Sequence, residues 1–95
     1  MTAPAAITEQ FVSDIQGKLK GTFEIIPGRR FDKIAKNHSY SRHVYAFVER
    51  ATGDLYKAAG WKAPAKGVRF QLGTDSGYAK AVDAADNHGG FLYAR

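Results

Sequence analysis

The chain contains no cysteine, only three prolines, and a single tryptophan. The lack of cysteine excludes a disulfide framework and thiolate metal sites, and it fits a reducing compartment. No window approaches the run of about eighteen apolar residues that a membrane-spanning helix requires. Residues 1–11 have neither a basic start nor a long apolar run, so they do not fit a secretory signal.

What remains is the composition of a small globular domain. The 95 residues are 44% hydrophobic and 24% charged, which excludes the disorder signature of low hydrophobicity with high net charge. A chain of this length builds a modest core without disulfides or a structural metal. We therefore expect one domain over residues 1–95, with residues 1–4 as a candidate disordered start.

Positive charge is concentrated in the middle of the chain. Residues 29–73 hold ten Lys and Arg against three Asp and Glu, a net charge of +7, whereas residues 1–28 and 74–95 each sum to −1. This asymmetry favours a polyanionic partner. The alternative is a solvated surface that only keeps the protein soluble.

Hydrophobic periodicity predicts a helix at each end of the domain. Residues 4–20 carry an apolar stripe that repeats every four residues, and we expect it to cover a sheet. The stripe consists of Ile7, Phe11, Ile15 and Leu19. Thr74–Ser76 is typical of a helix start. The helix that follows has a narrow apolar face made of Tyr78, Ala81, Val82 and Ala85.

Between these helices the apolar period falls to two, which predicts strands. The runs lie at residues 22–26, 42–50, 55–58 and 68–72, with a hairpin turn at 52–54 and a loop at 63–67. Residues 30–36 fit either a strand or a short helix, and residues 91–93 are predicted to dock as a final edge strand. The fold class is α+β: an antiparallel sheet of four to five strands with an N-terminal amphipathic helix and a C-terminal helix.

Three segments resemble small uncharacterised proteins encoded by tailed bacteriophages. They are the PGRR turn that begins at Pro27, the strand VYAFV at Val44–Val48, and TGDLYKAAGWKAPAKGVR at Thr52–Arg69. The resemblance covers roughly half of the chain. It implies a phage origin and a site of action in the host cytoplasm. No activity is established for those proteins, so the resemblance brings no catalytic residues.

The candidate binding residues interleave aromatic rings with cations, a combination that suits a polyanion with stackable bases. If the valines of the VYAFV strand point into the core, Tyr45 and Phe47 point the other way, next to Tyr56 across the hairpin turn. The alternative is a sheet buried on both faces, one under each helix, with these rings in the core. The full set is Arg29, Arg30, Tyr45, Phe47, Tyr56, Lys57, Trp61, Lys62, Lys66 and Arg69.

The loop after Trp61 is a second candidate within this set. Pro64 restricts the backbone of this loop, and Gly67 lets the backbone turn. Lys62 and Lys66 lie four residues apart and are placed to bind phosphates. The order of residues does not match a P-loop. The alternative is that Trp61 packs at the edge of the hydrophobic core, as a tryptophan at such a position more often does.

Nothing in the chain indicates catalysis or a cofactor. The spacings of His38, His43 and His88 match no standard zinc or iron pattern. There is no nucleophile elbow and no cofactor fingerprint. We therefore expect neither an enzyme nor a metalloprotein.

The sequence favours a small basic phage accessory protein that binds nucleic acid, DNA or RNA, with low sequence specificity. The alternative is a host-takeover protein that binds and modulates a host protein, because aromatic rings with arginine are also typical of protein interfaces. Neither function involves a membrane.

Overall fold

The computed structural model describes residues 5–19, 21–38, 41–61 and 63–85, which form two helices and five strands. In chain order the elements are α1 (Ala6–Gln16), β1 (Thr22–Pro27), β2 (Phe31–His38), β3 (Ser41–Glu49), β4 (Asp54–Ala58), β5 (Pro64–Gln71) and α2 (Asp75–Ala84). No described helix has the length and apolar character needed to cross a membrane. The predicted edge strand at 91–93 and the candidate disordered start at 1–4 lie outside the described residues.

The strands form one antiparallel sheet in the order β1-β2-β3-β4-β5. The turn between β3 and β4 uses Gly53 at a φ of 79°, which glycine adopts without strain. The α+β prediction is confirmed, and residues 31–38 are a strand and not a short helix.

The predicted loop at 63–67 is wrong, because β5 already begins at Pro64. The backbone N–H groups of Ala59 and Gly60 both donate to the carbonyl of Ala63, at 3.0 and 3.3 Å. The turn is therefore complete by Ala63, and Pro64 pairs with Ala58 of β4. Proline has no N–H to donate to a neighbouring strand, so within sheets it is confined to edge strands and to the first residue of a strand, and Pro64 meets both conditions.

Both helices cover the same face of the sheet. Phe11 and Ile15 of α1 and Ala81 of α2 are fully buried in one apolar cluster. The strands contribute Ile34, Tyr45, Ala46, Val48 and Leu55 to that cluster. The rings of Phe11 and Tyr78 meet edge to face with their centroids 6.2 Å apart. The stripe on α1 is thus a core face, as predicted, and no described helix covers the opposite side of the sheet.

Polar contacts connect α1, and the residues just after it, to α2. The Lys18 ammonium donates to the backbone carbonyls of Val82 and Asp83, at 2.8 and 2.6 Å. The Tyr78 hydroxyl donates to the Asp14 carboxylate. Burial and then this hydrogen bond raise the pKa of Tyr78 above its usual value of 10.0. The phenol therefore keeps its proton, and its hydrogen bond to Asp14, at an alkaline pH where an ordinary tyrosine would ionise.

A buried ion pair ties the start of α1 to the sheet. Asp32 of β2 is fully buried and accepts a hydrogen bond from Arg50 at 2.5 Å. It also accepts from the backbone N–H of Ala5 at 2.9 Å, directly before α1. Both interactions satisfy a carboxylate that would otherwise be costly to bury.

A β-bulge in β3 changes which side chains face the helices. The register pairs Ala35 with Val44 and Ile34 with Ala46, so Tyr45 is an extra residue of β3 between two successive register pairs. Tyr45 joins Ala46 in the core, whereas Val44 lines a depression on the opposite face. The prediction that Val44 shares the core face is therefore wrong, because strict alternation does not continue through a bulge.

Candidate functional site

The face of the sheet opposite the helices carries aromatic and cationic side chains. The register places Lys33 of β2 opposite Phe47 of β3, and Phe47 opposite Tyr56 of β4. Phe31, two residues before Lys33, points to the same side. We call this surface the open face and define it by Phe31, Lys33, Arg42, Phe47, Tyr56 and Trp61.

Three rings form an apolar floor on the open face. Phe31 packs edge to face against Phe47 and Tyr56, with centroids 6.3 and 5.5 Å away. The Tyr56 hydroxyl donates to Glu49 at 3.1 Å. Burial and then this hydrogen bond raise the pKa of Tyr56 above its usual value of 10.0, so this ring stays uncharged to a higher pH than an ordinary tyrosine.

Trp61 is the large ring that meets solvent on this face, with 42% of its surface exposed. The Lys33 ammonium lies 4.2 Å from the centre of its ring system, and the guanidinium carbon of Arg42 lies 5.2 Å from it. Because these cations come from β2 and β3, the β4–β5 turn must fold back over the sheet. Exposed cation–π contacts contribute about 0.5–1 kcal/mol each. They orient the ring while leaving much of it accessible.

The arginines of this region are held by weak surface pairs. Arg42 binds Glu24 at 2.8 Å, and both side chains are more than two-fifths exposed. Arg30 binds Glu49 at 3.1 Å and lies 5.0 Å from the centre of the Phe31 ring. Exposed salt bridges contribute only about 0–1 kcal/mol. A phosphate can therefore compete with Glu24 for Arg42, whereas the Glu49 side chain is only 15% exposed and holds Arg30 more firmly.

Two shallow depressions flank the contact between Lys33 and Trp61. One has a volume of about 380 Å³ and is lined by Arg42, His43, Val44, Ala58, Ala59, Gly60 and Trp61. The other has a volume of about 300 Å³ and is lined by Ile26, Pro27, Gly28, Arg29, Arg30, Phe31, Lys33 and Phe47. Each depression therefore combines ring surface with at least one arginine.

A protein-family model, described as a family of unknown function (DUF7717), matches residues 4–94. The chain belongs to this family. The DUF7717 match covers both helices as well as the sheet, and so extends well beyond the motifs around Pro27, Val44–Val48 and Thr52–Arg69. No curated protein and no solved structure matches the chain.

The predicted exposed platform of Tyr45 and Phe47 is wrong for this DUF7717 member. Tyr45 is 4% exposed and packs edge to face against Phe23 at 5.0 Å, because the bulge turns it under the helices. Phe47 does point away from the helices but is 3% exposed, and Phe31 and Tyr56 of its own face lie beside it. The alternative with one helix under each face is also wrong, because both helices share one side.

The other predicted site residues are only partly brought together. Arg29 and Arg30 are exposed in the β1–β2 turn and line one depression. Lys66 of β5 is exposed. Lys57 of β4 is half-buried, as is Arg69 of β5, which donates to the Gly67 carbonyl at 3.4 Å. Lys62 lies outside the described residues.

The predicted set omitted Phe31, Lys33 and Arg42. Two-residue alternation from Phe31 to Lys33 could have identified that pair once residues 31–38 were assigned as a strand. The approach of Arg42 to Trp61 depends on how the β4–β5 turn folds back, which no local pattern indicates. Lys36, close by in sequence, is buried on the helix side with its ammonium 5.5 Å from the Phe23 ring centre.

The open face offers charge and ring surface, not a coordination site. In the part of the chain that the structure describes, no group of three or more His, Asp or Glu side chains is placed to hold a metal ion. His43 is exposed beside Arg42 and lines the larger depression.

Proposed function

We propose that this protein binds nucleic acid, DNA or RNA, with low sequence specificity, through the open face. The observation that carries the proposal is the exposed Trp61 ring, with the Lys33 ammonium 4.2 Å and the Arg42 guanidinium 5.2 Å from its centre. Aromatic stacking and phosphate neutralisation are the two interactions by which non-specific proteins hold nucleic acids. The net charge of +7 over residues 29–73 adds long-range attraction for a polyanion.

Low specificity follows from the chemistry of these groups. Every base has a ring face on which Trp61 can stack, and every nucleotide has the same phosphate. We propose a role in binding and not in catalysis. On the resemblance of the Thr52–Arg69 segment to tailed-phage proteins, we further propose a phage accessory protein acting in the cytoplasm of the infected host.

A host protein is the alternative partner. Glu24 and Glu49 lie beside the open face and pair with Arg42 and Arg30. Rings mixed with charges of both signs are also typical of protein interfaces. Failure to bind any nucleic acid in the following titration would favour this alternative.

Mobility-shift titrations of single-stranded DNA, duplex DNA and RNA test the proposal. At about 50 mM salt we expect a dissociation constant between about 10⁻⁴ and 10⁻⁶ M for at least one of them, weakening as salt rises. The Glu24→Gln variant should bind more tightly, by up to about fivefold, because it frees Arg42 from an exposed pair.

The matched control for Glu24→Gln is Asp83→Asn. Asp83 is exposed on α2, on the helix-covered side, and the substitution removes the same charge. We expect it to change the affinity much less. Binding weaker than about 100 μM to all three nucleic acids would refute the proposed function. Equal gains from the two variants would mean that net charge, and not the open face, governs binding.

A further inference from the structure

We infer that the open face selects unpaired nucleic acid over duplex, with one base stacked on Trp61 and the next held against Phe31. The inference rests on the proposed function and goes beyond it by naming the class of nucleic acid. It follows from the shape of the surface, from the accessibility of its rings and from the spacing of its cations.

A base can stack on the accessible ring of Trp61 only if one of its own ring faces is not covered by a neighbouring base. In a duplex each base is covered above and below by adjacent base pairs, so its ring face is closed to side chains. Unpaired bases splay out and stack on aromatic residues, and sheets that carry exposed rings bind them in this way. Trp61 is 42% exposed, at the margin of a sheet face that no described helix covers.

The shape of the open face does not suit a duplex groove. The major groove is about 12 Å wide and admits a helix or a two-stranded ribbon. Both described helices pack on the other side of the sheet, where Phe11 and Ala81 are fully buried. The face extends from β2 to Val68 of β5, which is exposed and paired with Tyr56. Three interstrand spacings of about 4.8 Å make it about 14 Å wide.

The two depressions supply positions for two successive nucleotides. The larger one joins Trp61 to Arg42, and the smaller one joins Phe31 to Arg30. Lys33 lines the smaller depression and contacts Trp61 of the larger one. Its ammonium is therefore placed to neutralise the phosphate that connects the two nucleotides. Arg42 and the exposed Arg30 lie in the two depressions beside the flanking phosphates.

The test compares three ligands of equal length with the wild-type protein. They are a labelled single strand of about twelve nucleotides, the same strand in a duplex, and a single strand in which the sugars carry no bases. Fluorescence anisotropy at one low salt concentration gives the three affinities. We expect the normal strand to bind about 5- to 150-fold more tightly than the strand without bases, for each base that stacks. The duplex should bind at least about tenfold more weakly than the normal strand.

Each of the other possible outcomes overturns the inference. Equal affinity for the normal strand and the strand without bases would overturn the inference, since only the phosphates would then be bound, and the proposed function would stand. Equal or tighter binding of the duplex would likewise overturn it. Binding of none of the three would overturn the inference and the proposed function together.

Discussion

Phe11→Ala should lower the free energy of unfolding by about 3–5 kcal/mol. Phe11 is fully buried between α1 and the sheet and packs against Tyr78 of α2, so its truncation leaves a cavity where both helices meet. Domains of this size have a total stability of about 5–15 kcal/mol. Thermal unfolding should show a fall in the midpoint of about 12 °C or more.

The matched control is Phe31→Ala, which removes the same ring from the opposite face. Phe31 is half-buried, so its loss should cost clearly less stability than the loss of Phe11. It should instead weaken nucleic-acid binding, because it removes the ring of the smaller depression. If Phe11→Ala were no more destabilising than Phe31→Ala, α1 would not be packed on its own sheet as described.

Trp61→Ala should weaken the binding of single-stranded oligonucleotides by about 5- to 150-fold, the range expected for one stacked base. The ring is exposed, and it contacts the charged ends of Lys33 and Arg42. The free energy of unfolding should therefore fall by no more than about 1–2 kcal/mol, the sum of the two exposed cation–π contacts that are lost. Anisotropy titrations and thermal unfolding of the same preparation measure both quantities.

Two variants separate stacking from the loss of apolar surface. Trp61→Phe keeps a ring and should retain much of the affinity. Val68→Ala removes an exposed apolar side chain from the same face without removing a ring, and should have little effect. Wild-type affinity in Trp61→Ala, or an equal loss in Val68→Ala, would show that the tryptophan is not a stacking surface.

The helices could be predicted from sequence because their signals are local. The stripe through Phe11 and Ile15 repeats with the period of a helix and is buried as expected. The start of α2 was indicated by Thr74, whose hydroxyl accepts a hydrogen bond from the N–H of Gly77 at 3.0 Å. In both cases the deciding atoms lie within a few residues of one another.

The environment of the central strand could not be predicted in the same way. Tyr45 leaves the alternating pattern because β2 and β3 pair with an irregular register, a property of two strands together. Which face each helix covers depends on how α1 and α2 meet, through contacts such as that between Lys18 and the end of α2. Periodicity shows that a helix has an apolar side but not which face of a sheet it packs against.

In the candidate site, too, residues with a local sequence signal could be predicted, whereas contacts between residues distant in sequence could not. Trp61 and Arg30 were identified from composition, since rings interleaved with cations indicate a polyanion site. The contacts of Lys33 and Arg42 with Trp61 cannot be predicted in this way, because they form only where the β4–β5 turn folds back over the sheet. Contacts between residues so distant in sequence leave no local signal.

The most direct measurement is the indole N–H resonance of Trp61 during titration with a single-stranded oligonucleotide. The chain has one tryptophan, so this signal reports a single position on the open face. The methyl resonances of Ile15 and Ala81, which are fully buried on the other side of the sheet, provide the comparison. We expect the indole signal to shift and saturate while those methyl signals stay in place. An unchanged indole signal, with shifts on the helix-covered side, would contradict binding at the open face.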